Sequence, residues 1–279
     1  MQEKYFPGVE PVGGSGLTTT ESMRLIASVG FGGTFTGWNP EKTEKWANTA
    51  AKCGLVYQSI HSPFSGSQGC RVSELWEKGE AGKAVADKLI ACVEDCARFD
   101  IPVMVIHPFI GFEDHTPTQV GLDNYRRVVE VANKLGVTLG FENVEGEEYL
   151  AALMREFWNE PCCGFCLDTG HEQCYNGGKD MLALYGEKLC HTHFNDNLGV
   201  YDPKLTWEND LHLLPYDGIV DFAGVMARIE KTPYRGLINF ELTLNSKPGR
   251  DDHKKYRDMG IEAFYATAYE RACRILAGK

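Results

Sequence analysis

The sequence lacks the long apolar runs, the basic excess and the leader-like start that mark several classes of protein. None of its 279 residues falls in an apolar run near the roughly 20 residues that a membrane-spanning helix needs. Its 28 Lys and Arg are outnumbered by 39 Asp and Glu, and the formal net charge of −11 argues against a nucleic-acid surface, although a local basic patch stays compatible with it. The N-terminal residues do not follow the basic-then-apolar layout of a signal peptide, so we expect a cytoplasmic protein with no membrane partner.

The ten cysteines lack the setting that would indicate disulfides or a structural zinc site. In a cytoplasmic protein the thiols stay reduced. The CxxC spacing of Cys163 and Cys166 has no second pair, which a structural zinc site would need, so we expect cysteines that pack as small apolar side chains. No low-complexity linker or change of composition divides the chain, and we expect one domain over residues 1–279.

What the sequence has is an alternation of short apolar runs with amphipathic helical segments. Thr18 and Glu21 have the spacing of a helix-starting capping box, and Gly136 is placed to end a later helix. The candidate strands are 5–9, 31–35, 56–61, 103–107, 138–142, 163–168, 189–193 and 237–241. Eight strands alternating with helices predict an α/β protein, a (β/α)₈ TIM barrel. An open doubly wound sheet is the alternative, but no Gly-rich phosphate motif follows the first strand.

Six consecutive candidate strands end on a side chain that can ligate a metal ion. These residues are His61, His107, Glu142, Asp168, His193 and Glu241. Because the carboxyl ends of barrel strands meet at one mouth, we expect the six side chains to converge there. Such a series is hard to explain by core packing. It therefore predicts a metal site at the carboxyl end of the barrel.

Other polar side chains stand close to the same strand ends. His171 follows Asp168 by three residues, and Asp210 and His212 lie in the loop after the seventh strand, where a solvated pair is the alternative. Lys247 and Arg250, after the eighth strand, could bind a phosphate or carboxylate, or could simply be solvated. Trp38, Phe109 and Trp207 follow strands and are possible apolar walls for a sugar ring, with plain packing as the equal alternative.

The motifs at these strand ends resemble those of the xylose isomerase-like barrel superfamily. They are IHSPF, IHPF, FENVEG, CLDTGHE, HTHFNDN, DLHLLPYDG and NFEL, between about residues 56 and 245. The superfamily includes sugar and sugar-phosphate isomerases and epimerases, inosose dehydratase and endonuclease IV. The resemblance implies one divalent metal ion, most commonly Mn²⁺ with Zn²⁺, Co²⁺ or Mg²⁺ as alternatives, on Glu142, Asp168, His193 and Glu241. It also implies that His171 and Glu148 hold the substrate, with His61 and His107 nearby, and that the protein forms a homo-oligomer.

This resemblance implies an enzyme of carbohydrate metabolism, a metal-dependent isomerase or epimerase of a small sugar, sugar phosphate or polyol. A divalent ion chelated by the substrate would stabilise an enediolate, and Glu142 and Glu241 would remove and return the proton on opposite faces. His171 would anchor a substrate oxygen, or would itself be a metal ligand.

Two alternatives share the same residues. Endonuclease IV binds three zinc ions, and its pattern is matched by three sets: His61, His107 and Glu142; Glu142, Asp168, His193 and Glu241; and His171, Asp210 and His212. The loop after His61 lacks the Tyr-Leu wedge that this nuclease inserts into DNA, so DNA is not the expected substrate. A dehydratase acting on a sugar or inosose is the second alternative. The segment after His193 also lacks the Arg of ketose 3-epimerases, which argues against that narrow assignment.

Overall fold

Eight parallel strands form the barrel of this computed structural model, which describes residues 4–113, 116–200 and 207–278. The strands are β1 (Tyr5–Val9), β2 (Gly33–Gly37), β3 (Val56–His61), β4 (Val103–Ile106), β5 (Thr138–Glu142), β6 (Cys163–Asp168), β7 (Leu189–His193) and β8 (Gly236–Phe240). Each strand from β1 to β6 pairs with the next along the chain, and β1 also pairs with β8. Just beyond β7, the Phe194 backbone N donates to the Asn239 carbonyl at 2.7 Å, which closes the ring between β7 and β8.

Helices surround the barrel and connect its strands. They are α1 (Thr19–Val29), α2 (Thr43–Cys53), α3 (Glu80–Arg98), α4 (Gln119–Leu135), α5 (Glu147–Phe157), α6 (Thr169–Cys174), α7 (Met181–Tyr185), α8 (Phe222–Ile229), α9 (Lys254–Met259) and α10 (Ile261–Leu276). Within the described ranges, no helix combines the length and the apolar character that crossing a bilayer requires.

The predicted TIM barrel is confirmed, and the open doubly wound sheet is wrong. The Thr18–Glu21 capping box starts α1, and Gly136 ends α4 in the left-handed conformation with φ of 71°. Three strands differ slightly from their predicted ranges, since β2 covers Gly33–Gly37 rather than 31–35, β4 covers Val103–Ile106 rather than 103–107, and β8 covers Gly236–Phe240 rather than 237–241. All ten cysteines are free thiols, and Cys163 and Cys166 are buried as predicted.

The strand faces that pack against the helices are apolar, whereas the interior of the barrel is polar beneath the mouth at the carboxyl ends of the strands. Alternation along β7 places His191 and His193 in the interior, where both side chains are fully buried. The ring of Phe35 stacks on His193 with centroids 4.9 Å apart, and Ser59 Oγ lies 3.2 Å from His191 Nε2. Parallel pairing keeps all strand ends level at this mouth, so side chains distant in sequence are brought together there.

A buried ion pair holds the helices below the mouth together. The Glu172 carboxylate on α6 is almost fully buried, and both of its oxygens accept hydrogen bonds from Arg228 on α8, at 2.9 and 2.7 Å. Arg228 also donates to Asp180 at the start of α7. Because a buried carboxylate without a partner is costly, Arg228 stabilises the arrangement of these three helices.

We expect Arg228→Met to destabilise the protein by about 3–5 kcal/mol, because it leaves the buried Glu172 carboxylate without its partner. Urea unfolding followed by circular dichroism measures this free energy of unfolding. Lys254→Met is the matched control, since Lys254 pairs with Asp258 on the exposed surface of α9 and should leave the midpoint nearly unchanged. Equal midpoints for the two variants would contradict the role given to Arg228.

Candidate metal centre

Glu142, the last residue of β5, lies at the centre of the mouth with four histidines around its carboxylate. His193 Nδ1 and His171 Nδ1 lie 3.0 and 3.4 Å from its Oε1 atom. His61 Nε2 and His107 Nε2 each lie 3.4 Å from its Oε2 atom. The Glu142 side chain is fully buried. Both of its oxygens therefore face imidazole nitrogens rather than open space.

Four residues that can ligate a metal ion, one of them Glu142, lie together at the carboxyl ends of β5, β6, β7 and β8. Glu142, Asp168, His193 and Glu241 each place a ligand atom within 4.8 Å of those of the others. Glu241 Oε2 lies 3.2 Å from His193 Nδ1. Three carboxylates and one imidazole form a donor set that suits Mn²⁺, Zn²⁺ and related divalent ions.

Two more sets adjoin this one. His61, His107 and Glu142 form the first, so Glu142 belongs to two sets. His171, Asp210 and His212 form the second, in which Asp210 Oδ2 lies 3.5 Å from His171 Nε2 and 2.9 Å from His212 Nε2. The structure thus brings together all nine residues that the sequence analysis groups as ligands.

Orphaned polar atoms within these sets fit a bound cation. Glu142 Oε2 and Asp210 Oδ1 are buried and have no well-formed hydrogen bond among the described residues. Since buried polar atoms are normally satisfied, these two carboxylate oxygens support a site that is completed by a metal ion.

Charge is balanced within the site by paired imidazoles and carboxylates. Burial opposes protonation of His193, but Glu241 and Glu142 raise its pKa to about 9. In the same way, Asp210 and Glu241 overcome burial and raise the pKa of His212 to about 10. A metal ion binds neutral imidazole, so a divalent cation would replace these protons as the positive charge among the carboxylates.

Burial acts differently on two other members of the site. It lowers the pKa of His107 to about 4, so this imidazole is neutral and its nitrogen is available as a ligand. Burial also raises the pKa of Asp168 to about 6, although His171 opposes this effect. Burial would raise the pKa of Glu142 too, but His193, His107 and His61 hold it well below its usual value. Glu142 is therefore ionised.

Two asparagines that the sequence analysis misses fix Asp168 in place. Asn143 Oδ1 accepts from the Asp168 backbone N at 2.7 Å, and Asn143 Nδ2 donates to the Asp168 carbonyl at 2.9 Å. Asn195 Nδ2 donates to Asp168 Oδ2 at 2.7 Å, while Asp168 Oδ1 accepts from the His171 backbone N. The close approach of Asn195 requires Gly170, since a Cβ there would lie 1.9 Å from Asn195 Oδ1. Both asparagines stand within the motifs FENVEG and HTHFNDN, which are the signal that could have found them.

Asn195→Ala is expected to weaken metal binding about 10- to 100-fold, because it frees the Asp168 carboxylate to rotate away from its neighbours. Competition with a fluorescent chelator measures the metal affinity. Asn133→Ala, which alters an exposed asparagine next to Glu160 far from the mouth, should leave the affinity unchanged. An unchanged affinity in Asn195→Ala would show that Asp168 does not depend on this hydrogen bond.

A cavity of about 530 Å³ opens above the ligand sets. Its lining includes His61, His107, His171, Asp210, His212, Glu241, Glu145, Arg71, Lys247, Phe64, Phe112, Tyr175 and Trp207. This volume suits a small molecule, and the four aromatic rings provide apolar walls beside the polar floor. Glu241 lines the cavity whereas Glu142 does not.

The predicted aromatic walls are only partly correct. Trp207 lines the cavity, as predicted. Trp38 does not, because its indole Nε1 donates to Asp95 at 2.9 Å and holds the ring among the helices. Phe109 is buried in the core and stacks on Tyr149 with centroids 4.0 Å apart.

The predicted substrate-binding polar residues also divide into two groups. Lys247 lines the cavity. Arg250 does not and instead donates to Asp252 at 2.9 Å. Glu148 is exposed in the first turn of α5 and does not reach the cavity wall, where Glu145 lies instead. The direction of the turn after β5 places Glu145 rather than Glu148 at the cavity wall, and residue spacing alone does not predict that direction.

Comparison with known proteins agrees with this architecture. The profile of the xylose isomerase-like TIM barrel family matches residues 20–260. The chain belongs to this family. An uncharacterised protein of Sinorhizobium fredii is 25% identical over 263 residues, which cover 80% of this chain and 81% of that protein.

Other proteins similar to this chain are enzymes of different classes. A 3-dehydroshikimate dehydratase of Pseudomonas putida is 22% identical over 240 residues, which are 81% of this chain but only 36% of that enzyme. A crystal structure of D-allulose 3-epimerase from Methylomonas sp. superposes with a TM-score of 0.70 at 15% identity, covering 99% of this chain and 97% of that one. At this identity the superposition shows a shared fold.

Proposed function

We propose that this member of the xylose isomerase-like TIM barrel family is a divalent-metal-dependent isomerase or epimerase of a small sugar, sugar phosphate or polyol. The observation that carries the proposal is the position of Glu241, which belongs to the four-ligand set and also lines the cavity. A carboxylate so placed can contact a metal ion and a substrate at once. The cavity volume and the aromatic walls suit a sugar-sized molecule.

Glu142, Asp168, His193 and Glu241 would hold the metal ion, for which Mn²⁺ is the expected identity. When bound, the ion would supply positive charge that offsets the negative charge developing on substrate oxygens as a proton leaves carbon. Asn143 and Asn195 would keep Asp168 oriented for ligation. Tyr175 and Trp207 would exclude water and pack against the substrate.

Glu241 would carry the proton. Its Oε2 atom lies 3.2 Å from His193 Nδ1 and 3.7 Å from His212 Nδ1. Burial would raise the pKa of this carboxyl, but the two imidazoles hold the pKa below its usual value, so Glu241 is ionised and can act as a base. The Glu241 side chain is 17% exposed and lines the cavity, so this carboxylate is available to the substrate.

The structure argues against the predicted acid/base role of Glu142. Both of its oxygens face histidines, and the side chain does not line the cavity. One base is enough for aldose–ketose isomerisation, because the same group can return the proton to the neighbouring carbon on the same face. Epimerisation needs a second group on the opposite face, for which His171 and Glu145 are two of the cavity-lining candidates.

We expect Glu241→Gln to slow turnover by about 10²- to 10⁴-fold even when the divalent ion is supplied at a concentration that saturates the site, because the amide cannot accept the proton. Glu142→Gln should also bind the metal ion much more weakly, since Glu142 is shared between candidate ligand sets. Exchange of substrate carbon-bound protons in D₂O, followed by NMR on a panel of aldoses, ketoses and inososes, measures turnover. Elemental analysis measures the metal content of each variant.

Glu148→Gln is the matched control for these two variants, because Glu148 is exposed and lies off the cavity wall. It should keep both turnover and metal content. Normal exchange in Glu241→Gln with metal bound would contradict the proposed proton carrier. An unsaturated product in place of an isomer would identify the protein as a dehydratase.

A second function is supported by the two additional ligand sets. His61 and His107 share Glu142 with the four-ligand set, and His171, Asp210 and His212 form a third set beside it. Several adjacent metal ions can clamp the oxygens of a phosphodiester during its hydrolysis. The same mouth could therefore serve a multinuclear phosphoesterase.

Metal stoichiometry separates the two functions. For the isomerase we expect about one equivalent of a divalent ion per chain, as in catalysis by a single Lewis acid, and its loss in Asp168→Asn. Elemental analysis of protein purified without chelators gives this number. About three equivalents of zinc, together with hydrolysis of bis(4-nitrophenyl) phosphate, would overturn the isomerase proposal in favour of the phosphoesterase.

A further inference from the structure

We propose that the substrate of this site carries an anionic group, a carboxylate or a phosphate, and that Arg71 binds it and thereby determines specificity. The inference deepens the proposed function and rests on it for the identity of the cavity as the substrate site. Arg71 lines this cavity together with the candidate ligands His61 and His107. The sequence analysis assigns Arg71 no role in the site, and assigns anion binding to Lys247 and Arg250 instead.

The loop after β3 fixes the position of Arg71. The Val72 backbone N donates to the Phe64 carbonyl at 3.1 Å, so Arg71 and Phe64 lie side by side at the cavity. Lys88 Nζ on α3 donates to the carbonyl of Gln68 at 2.9 Å and ties the middle of the loop to the helix. A backbone held in this way presents the guanidinium at a defined place on the cavity wall.

Phe64 connects this loop directly to the candidate metal centre. Its ring stacks on His107 with centroids 4.1 Å apart and lies 5.3 Å from the ring of His61. A ligand that extends from the metal ligands along Phe64 would therefore reach Arg71. The structure thus provides a polar floor, an apolar wall and a cation within one cavity.

Arg71 has no carboxylate partner among the described residues, although it lies in a strongly acidic protein. Several other arginines are paired, since Arg126 contacts Glu156, Arg127 contacts Asp87, and Arg228 contacts Glu172. Some arginines outside the cavity also form no ion pair with the described residues, but Arg71 alone among the described arginines lines the cavity. An unpaired guanidinium that lines the substrate cavity can make two parallel hydrogen bonds to a carboxylate or a phosphate.

Lys247 adds a second positive charge to the wall of the cavity. Its Nζ atom lies 5.1 Å from the centroid of the Trp207 ring and 3.9 Å from Asp210 Oδ2. Asp210 is already in contact with His171 and His212, so Lys247 is only weakly engaged with it. The carboxylates that line the cavity would repel an anion unless such cations faced it, and a neutral polyol would not need them.

The test compares the binding of matched neutral and anionic ligands by isothermal titration calorimetry on the protein as purified. The pairs are D-glucitol against D-gluconate, for the carboxylate, and D-glucose against D-glucose 6-phosphate, for the phosphate. We expect one anionic ligand to bind at least about tenfold more tightly than its neutral counterpart, as for a charge-assisted hydrogen bond. In Arg71→Met this ratio should fall to about one.

Arg24→Met is the matched control, because it removes the same charge from an exposed site away from the cavity and should leave the ratio unchanged. An undiminished preference for the anion in Arg71→Met would show that the metal centre or Lys247 binds the anion, and would overturn the proposal. Equal binding of both members in both pairs would overturn it as well. Because the readout is binding, absence of proton exchange would refute the isomerase function without affecting this result.

Discussion

The buried carboxylate of Glu142 is the constraint on which the site depends. A fully buried negative charge is unstable unless positive or hydrogen-bonding groups surround it. Four histidines surround this carboxylate, three of them from the ends of β3, β4 and β7 and one from α6. Each of these strand ends must therefore converge on β5. The carboxyl-end mouth of the barrel is organised around one side chain that never faces the substrate cavity.

The backbone around this charge is held by amides and by barrel closure. Asn143 and Asn195 satisfy the backbone and one carboxylate oxygen of Asp168, which leaves it little freedom to rotate. The Glu241 backbone N donates to the Phe194 carbonyl at 3.1 Å, so closure between β7 and β8 sets His193 beside Glu241. Rigid placement of this kind is what a metal site and a proton carrier both require.

Glu142 and Glu241 belong to the same ligand set, but their carboxylates have different surroundings. Glu142 has both oxygens against imidazoles, whereas Glu241 has one oxygen there and lines the cavity. Because of this difference, Glu241 is the residue that carries the proton in the proposed function. The loops above the set place Phe64, Arg71 and Trp207 on the cavity wall, where the proposed substrate would bind. The family shares its barrel across several activities because such loops vary independently of the strand ends.

The sequence by itself determined the barrel and the convergence of six ligand-type residues at the strand ends, whereas His171, Asp210 and His212 were grouped with them only through the family resemblance. Strand length, helical period and strand-end position are local properties, and parallel closure then brings every strand end to one mouth. Tertiary structure alone decided which side chains face the cavity. Trp38 is held by Asp95, Arg250 by Asp252, and Glu148 is exposed, because hydrogen-bond partners distant in sequence and the direction of loop turns fix these orientations. The sequence analysis did not identify Arg71 for the same reason, since only the folded loop after β3 places it beside Phe64.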